Sequence, residues 1–221
     1  MTTDLAKILT AAARGAFPPA DGGVTVLPPA SPRDHGVLSF TGCAYVCADV
    51  SPAWVRDRLP PGDLGAPLSP AFLAALADRT GRHVENVDLL TVAEPLPGPP
   101  PLPLREAEGA DHPRVARALR HRDGVRAWIT EGGDGAGAAG AGTMVTGRGV
   151  AGRREIAFEV AESARGRGLG RRLAVAARHL SPPGEPVWAQ VAPANAASVR
   201  ALLAAGFVPV GAEALLTRAP F

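Results

Sequence analysis

The residues most suited to chemistry lie in a glycine-arginine run, Arg165-Gly166-Arg167-Gly168-Leu169-Gly170, with Arg171 directly after it. An apolar strand ending at Val160 precedes the run, and a helix carrying Leu169, Leu173, Val175 and Ala176 follows it. Glycines let a backbone approach a bulky anion, and the first N–H groups of a helix point outward with favourable potential for negative charge. Arg165, Arg167 and Arg171 add charge-assisted donors for phosphate oxygens. Together they describe a cradle for a pyrophosphate. A tight strand-to-helix turn with solvated arginines is the plainer account of the same letters. A dinucleotide-binding fold would want an acidic residue about 20 positions further on, where 179–184 has none, and a Walker-type loop would need a Gly-Lys-Ser/Thr end that is absent.

In the strand before the run, alternation places Glu155, Ala157 and Glu159 on one face and Ile156, Phe158 and Val160 on the other. Glu159 lies next to the glycine-rich turn and Glu155 about 13 Å further back, so only one of them can work at a given reacting atom. Glu159 is the stronger candidate for proton transfer, and for Glu155 a solvent-exposed charge competes equally with catalysis.

The elements that must position these residues follow from the pattern. Residues 95–103 read PLPGPPPLP, which suits a semi-rigid extended connector and divides the chain into 1–95, 96–103 and 104–221. Before it, a helix is expected over 4–14, a strand broken at Gly42 over 37–50, a helix started by Ser51-Pro52 and running to 59, a second started by Ser69-Pro70 and running to 79, and a strand over 87–92. After it come a helix at 113–120, strands at 125–130, 142–146 and 154–160, and a helix at 168–180. A strand at 187–191, a helix at 196–205 and a strand from 207 that can extend to 216 complete the order. The glycine-rich stretch 132–142 reads as a flexible loop between two strands. The fold class is α/β in the broad sense (α+β): a mixed, mostly antiparallel sheet with flanking helices in 104–221, after a small α+β region.

At this point the chain resembles the GNAT superfamily of acyl-CoA-dependent N-acyltransferases. Its signature, Arg/Gln-x-x-Gly-x-Gly/Ala between a strand and a helix, is matched by Arg165, Gly168 and Gly170. A second family block, Asn-x-x-Ser/Ala before a helix ending in Gly-Phe, is matched by Asn195, Ser198, Gly206 and Phe207. The resemblance covers roughly 104–216. It implies transfer of an acetyl or other short acyl group from acetyl-CoA to an amine acceptor in a ternary complex. The loop from Arg165 to Gly170 would hold the pyrophosphate, Val160 would offer backbone groups to the pantetheine arm where strand 187–191 splays away, and Asn195 and Ser198 would line the next helix start. Asn195 also suits a plain helix N-cap. Many family members carry a tyrosine as general acid at the position that is Leu202 here, and Tyr45, the sole tyrosine, lies in the other half. A non-catalytic acyl-CoA-binding module is therefore the alternative.

Composition bounds the remaining classes. The chain has 221 residues, compatible with one domain or two, and its 46% hydrophobic and 20% charged content argues against disorder throughout. A formal net charge of +2, with Lys7 the only lysine, gives no reason to expect a nucleic-acid partner. No apolar run approaches the roughly 20 residues of a membrane span, and the first residues lack a basic start, so a cytoplasmic location is the expectation. Cys43 and Cys47, on one strand and about 13 Å apart, are too distant for a disulfide and lack further ligands for zinc, so no metal is expected. The oligomeric state is open, with a homodimer as one option.

Overall fold

The computed structural model describes residues 4–107, 112–132 and 139–218. They form two compact units, one of residues 1–90 with 210–221 and one of residues 91–209. The proline-rich stretch is thus not the border: its backbone is laid along the second unit. The Leu96 N–H donates to the Arg178 carbonyl at 3.0 Å, the Glu131 N–H donates to the Pro103 carbonyl at 3.3 Å, and Leu102 is buried. The loop expected over 132–142 falls largely at 133–138, outside the described residues.

The first unit starts with α1 (Leu5–Ala13), whose first turn is capped by the Asp4 carboxylate. Strands β1 (Val24–Leu27), β2 (His35–Phe40) and β3 (Cys43–Cys47) follow; the expected break at Gly42 is a two-residue hairpin between β2 and β3, with Gly42 at a φ of 74°. Helices α2 (Pro52–Arg56) and α3 (Pro70–Thr80) begin as read, with the Ser51 and Ser69 hydroxyls capping them and proline in the first turn. The first of these ends three residues short of expectation, and strand β4 (His83–Ala93) is longer at both ends. The final strand, β10 (Val208–Thr217), pairs antiparallel with β2, so the strand order here is β1-β3-β2-β10-β4. One face, carrying Val37, Val46, Ala214 and Leu216, is covered by Val55 of α2 and by Phe72, Leu73 and Leu76 of α3. Cys43 and Cys47 are both free thiols on β3.

The second unit contains β5 (Leu104–Glu106), α4 (Pro113–His121), β6 (Asp123–Thr130), β7 (Gly142–Arg148), β8 (Arg154–Val160), α5 (Leu169–His179), β9 (Val187–Val191) and α6 (Ala196–Ala204). Strand order is β9-β8-β7-β6-β5, antiparallel except for β8 with β9, which α5 joins as a parallel crossover. The mixed, mostly antiparallel sheet with flanking helices is therefore present. Arg178 ties its pieces together: from α5 it donates to the Glu94 carbonyl at 2.8 Å and to the Ala205 carbonyl at the end of α6 at 2.7 Å.

Glu155 departs from the sequence reading. It is neither a solvent-exposed charge nor open to a substrate, because it is 2% exposed and held from three sides. Arg153 donates to its carboxylate at 2.7 Å, Arg122 at 2.9 Å, and the Val150 N–H at 3.2 Å. The turn between β7 and β8 is folded around it, and a side chain at Gly149 would collide with the carboxylate. Burial pushes the Glu155 carboxyl up, but the two guanidinium groups outweigh burial and hold it below the usual carboxylate range.

Two outcomes follow from these buried charges. Glu155→Gln leaves two guanidinium groups without their counter-charge, and a urea titration should show a loss of about 3–5 kcal/mol. Because the folded carboxyl titrates below the unfolded one, the contribution of Glu155 is present above the unfolded pKa and fades as pH falls through the acid range. His35, in the first unit, is buried, and its Nδ1 has no hydrogen-bond partner among the described residues. Burial and then Arg82 lower its pKa against the opposing pull of Asp49. A histidine with a lowered folded pKa gives stability that is present at higher pH and is lost as pH drops through its unfolded value of about 6.5. The urea midpoint should therefore fall between pH 7.5 and 5.5, and His35→Gln should flatten that slope; an equal slope in the variant would exclude His35 as the cause.

Candidate functional site

Strand β8 carries the site because its two faces do different work. Ile156 and Phe158 look toward α5: a Cβ on Gly170 would already stand 3.3 Å from the Phe158 ring, so glycine there lets the helix close on the strand. On the other face Ala157 packs with Val145 and with Val115 and Ala118 of α4. Glu155 and Glu159 share this second face, as strand alternation requires.

β8 and β9 part from each other. Register pairs join only Arg154 with Val187 and Glu155 with Trp188, although β8 continues to Val160 and β9 to Val191. The separation begins at the Glu155 cluster, where Arg122 also donates to Gln190 of β9 at 3.3 Å. One guanidinium thus bridges the two strands at the point where their backbone ladder stops. The far end of β8 remains tied to β7, with Val160 opposite Gly142. The expected splay beside Val160 and 187–191 is therefore seen in the strand pairing.

Past Val160, a 3-10 turn at Glu162–Ala164 leads into the glycine run. Gly166 and Gly168 have φ of 75° and 79°, in the left-handed region that favours glycine, and a Cβ on either would meet open space. Gly168 is the N-cap of α5 and supplies no side-chain bond to its first turn. The five other α-helices among the described residues are capped by Asp4, Ser51, Ser69, His112 and Asn195. Arg165, Arg167 and Arg171 are exposed around this start, while Leu169 is buried and anchors the turn. Arg165 Nε donates to the Val160 carbonyl at 3.2 Å. The arrangement offers backbone donors, a helix N-terminus and three cations around open space, as an anionic diester or diphosphate requires.

At the end of β9, the Asn195 Oδ1 accepts from the Ser198 N–H at 3.1 Å and caps α6. Its amide Nδ2 still has donors to give. Leu202, where a hydroxyl group would be wanted, is buried in the core, and the Phe207 N–H donates to its carbonyl at 3.1 Å. Tyr45 lies in the first unit, edge-on to Phe40.

Glu159 is half-exposed, with a side-chain exposure of 43%, and among the described residues it pairs with Arg114 of α4, whose Nη2 stands 3.4 Å from Oε2. Sequence reasoning missed both Arg114 and Arg122. A signal existed: their separation of eight positions spans about 12 Å along a helix, close to the roughly 13 Å between Glu155 and Glu159 on a strand. It becomes readable only once α4 is known to lie over β8.

No family model matches the chain, and no curated protein matches it. Among solved structures it is similar to a GCN5-related N-acetyltransferase from Kribbella flavida, at 18% identity over 67% of this chain and 64% of that one, with a TM-score of 0.40. An acetyltransferase of the GNAT family from Colwellia psychrerythraea aligns at 13% identity over 79% and 76%, with a TM-score of 0.42. A tandem GNAT protein from the clavulanic acid biosynthesis pathway aligns at 18% identity over 84% and 65%, also with a TM-score of 0.42. The chain spans less than two thirds of the length of the first and third of these proteins, and all three are named as GNAT proteins.

Proposed function

We propose that the chain is a GNAT-type acyltransferase that moves an acetyl or other short acyl group from acyl-CoA to an amine. The observation that carries this reading is the start of α5, uncapped and glycine-lined, immediately beyond a strand that parts from its neighbour. Acyl-CoA supplies an activated thioester and a pyrophosphate handle. Gly166 and Gly168 leave room for that handle, the N–H groups of Leu169, Gly170 and Arg171 face it, and Arg165, Arg167 and Arg171 neutralise it. The parted ends of β8 and β9 give the extended arm its path, with Val160 and the Asn195 amide as polar contacts and Ser198 in the first turn of α6. We place the activity in the second unit, residues 91–209, with acetyl-CoA and an amine-bearing acceptor as partners.

Glu159 is the base of this reading. It sits on the open stretch of β8, where an acceptor ammonium can reach it directly or through one water and lose its proton before attack. Glu155 is assigned to holding the strands instead, since its oxygens are occupied by Arg153, Arg122 and the Val150 N–H. With Leu202 in the core, the proton for the departing thiolate comes from solvent. That same leucine favours the second reading, an acyl-CoA-binding module without turnover. Release of free CoA in the presence of an amine panel separates the two.

Acetyl-CoA should raise the melting temperature, and Gly168→Glu should abolish the shift. Gly168→Ala is the control, because it carries the same left-handed strain, on the order of 1 kcal/mol, without bulk or charge. Undiminished stabilisation of Gly168→Glu by acetyl-CoA would remove the cradle from the proposal. For Glu159→Gln, turnover should drop about a hundredfold to ten-thousandfold while acetyl-CoA affinity stays near that of the parent. Near-parental turnover of that variant between about pH 6 and 9 would take Glu159 out of the mechanism.

A further inference from the structure

The pairing of Arg114 with Glu159 differs from the other arginine-carboxylate contacts of this unit. Arg126 grips Glu106 with both ends of its fork at 2.7 Å, and Glu155 is held by Arg153 at 2.7 Å and Arg122 at 2.9 Å. Charge-assisted bonds normally close to such lengths. Arg114 stands off at 3.4 Å, and its Nε is buried and has no hydrogen-bond partner among the described residues. The backbone that carries it is fixed, because the His112 cap accepts from the Arg114 N–H at 3.0 Å at the start of α4. The guanidinium therefore has donors that no described residue fills, and its side chain is 31% exposed beside the 43% exposed side chain of Glu159.

The geometry points to an acceptor that carries a carboxylate a few bonds from its amine, an amino acid being the simplest case; this rests on the acyltransferase reading above. Glu159 faces the ammonium, and Arg114 receives the carboxylate through donors that its contact with Glu159 leaves unfilled. A guanidinium fork matches the two oxygens of a carboxylate, and the Arg114 side chain is part-exposed where such a group would arrive. The 3.4 Å spacing of the two charged groups limits how far apart the amine and acid can be on the acceptor. Ala157, on the same face of β8, presents only a methyl group between Glu155 and Glu159.

The test uses the full-length chain with acetyl-CoA and pairs of acceptors, amino acids against their own carboxamides, at matched concentrations of free amine. The parent enzyme should prefer the carboxylate by about tenfold or more in kcat/KM, carried mainly by KM. Arg114→Gln should bring the ratio of carboxylate to carboxamide close to one, and Arg114→Lys should keep part of it, since lysine retains the charge but not the fork. Acyl transfer with equal or better use of carboxamides by the parent overturns this inference and leaves the acyltransferase reading standing. The same holds if Arg114→Gln lowers both members of each pair equally. Transfer to other amines of the panel but to neither of these classes overturns this inference alone, and absence of CoA release with every amine, in a protein that acetyl-CoA still stabilises, overturns both.

Discussion

The carboxylate of Glu155 is the point on which the second unit depends. It is nearly fully buried and receives bonds from Arg153, from Arg122 and from the backbone of Val150. A buried ion of this kind is costly unless its lone pairs are filled, and here the surrounding chain is arranged to fill them. The Glu155 side chain thus sets the turn that ends β7, requires glycine at Gly149, and draws the C-terminal end of α4 onto the sheet. Arg122 then reaches across to Gln190, so the cluster also decides where β8 and β9 are last held together.

Two consequences follow for the site. Beyond Glu155 the strands lack a shared ladder, and the backbone of β9 past Trp188 is not used by β8. An extended polar ligand can use such groups, because an unpaired backbone donor or acceptor in a protein seeks a partner. Further along, the chain reverses through Gly166 and Gly168 into a helix whose first turn no side chain caps. The parted strands and the uncapped helix are consecutive in the chain, so one segment of 17 residues, from Arg154 to Gly170, organises both ends of the candidate ligand path.

The opposite face of β8 gives the site its charge pattern. Two glutamates on one strand face meet two arginines from α4 and its end, yet the pairs behave differently. Glu155 with Arg122 is buried and closed, whereas Glu159 with Arg114 is exposed and long. The difference lies in depth: near the β7–β8 turn the strand is wrapped by Gly149, Val150 and Arg153, while among the described residues Glu159 meets Arg114 from the first turn of α4. Burial fixes one carboxylate as scaffold and leaves the other accessible.

Most elements were legible in the sequence because their signals are local. Ser51, Ser69 and Asn195 cap the helices they were expected to cap, and alternation assigned the faces of β8 correctly. The short β1 and β5 escaped, since four and three residues give too little periodicity to stand out beside their proline and glycine neighbours. The turn from Arg165 to Gly170 was visible for the same local reason: glycine spacing dictates backbone conformation without reference to distant residues. Only the tertiary structure decided that Glu155 is buried, that Arg114 and Arg122 face the two glutamates, and that β10 pairs with β2 instead of completing the second unit. Each depends on which surface covers a strand face or edge. Period-two alternation states that a face exists, but the partner that covers it comes from residues tens to hundreds of positions away, and no local pattern encodes that choice.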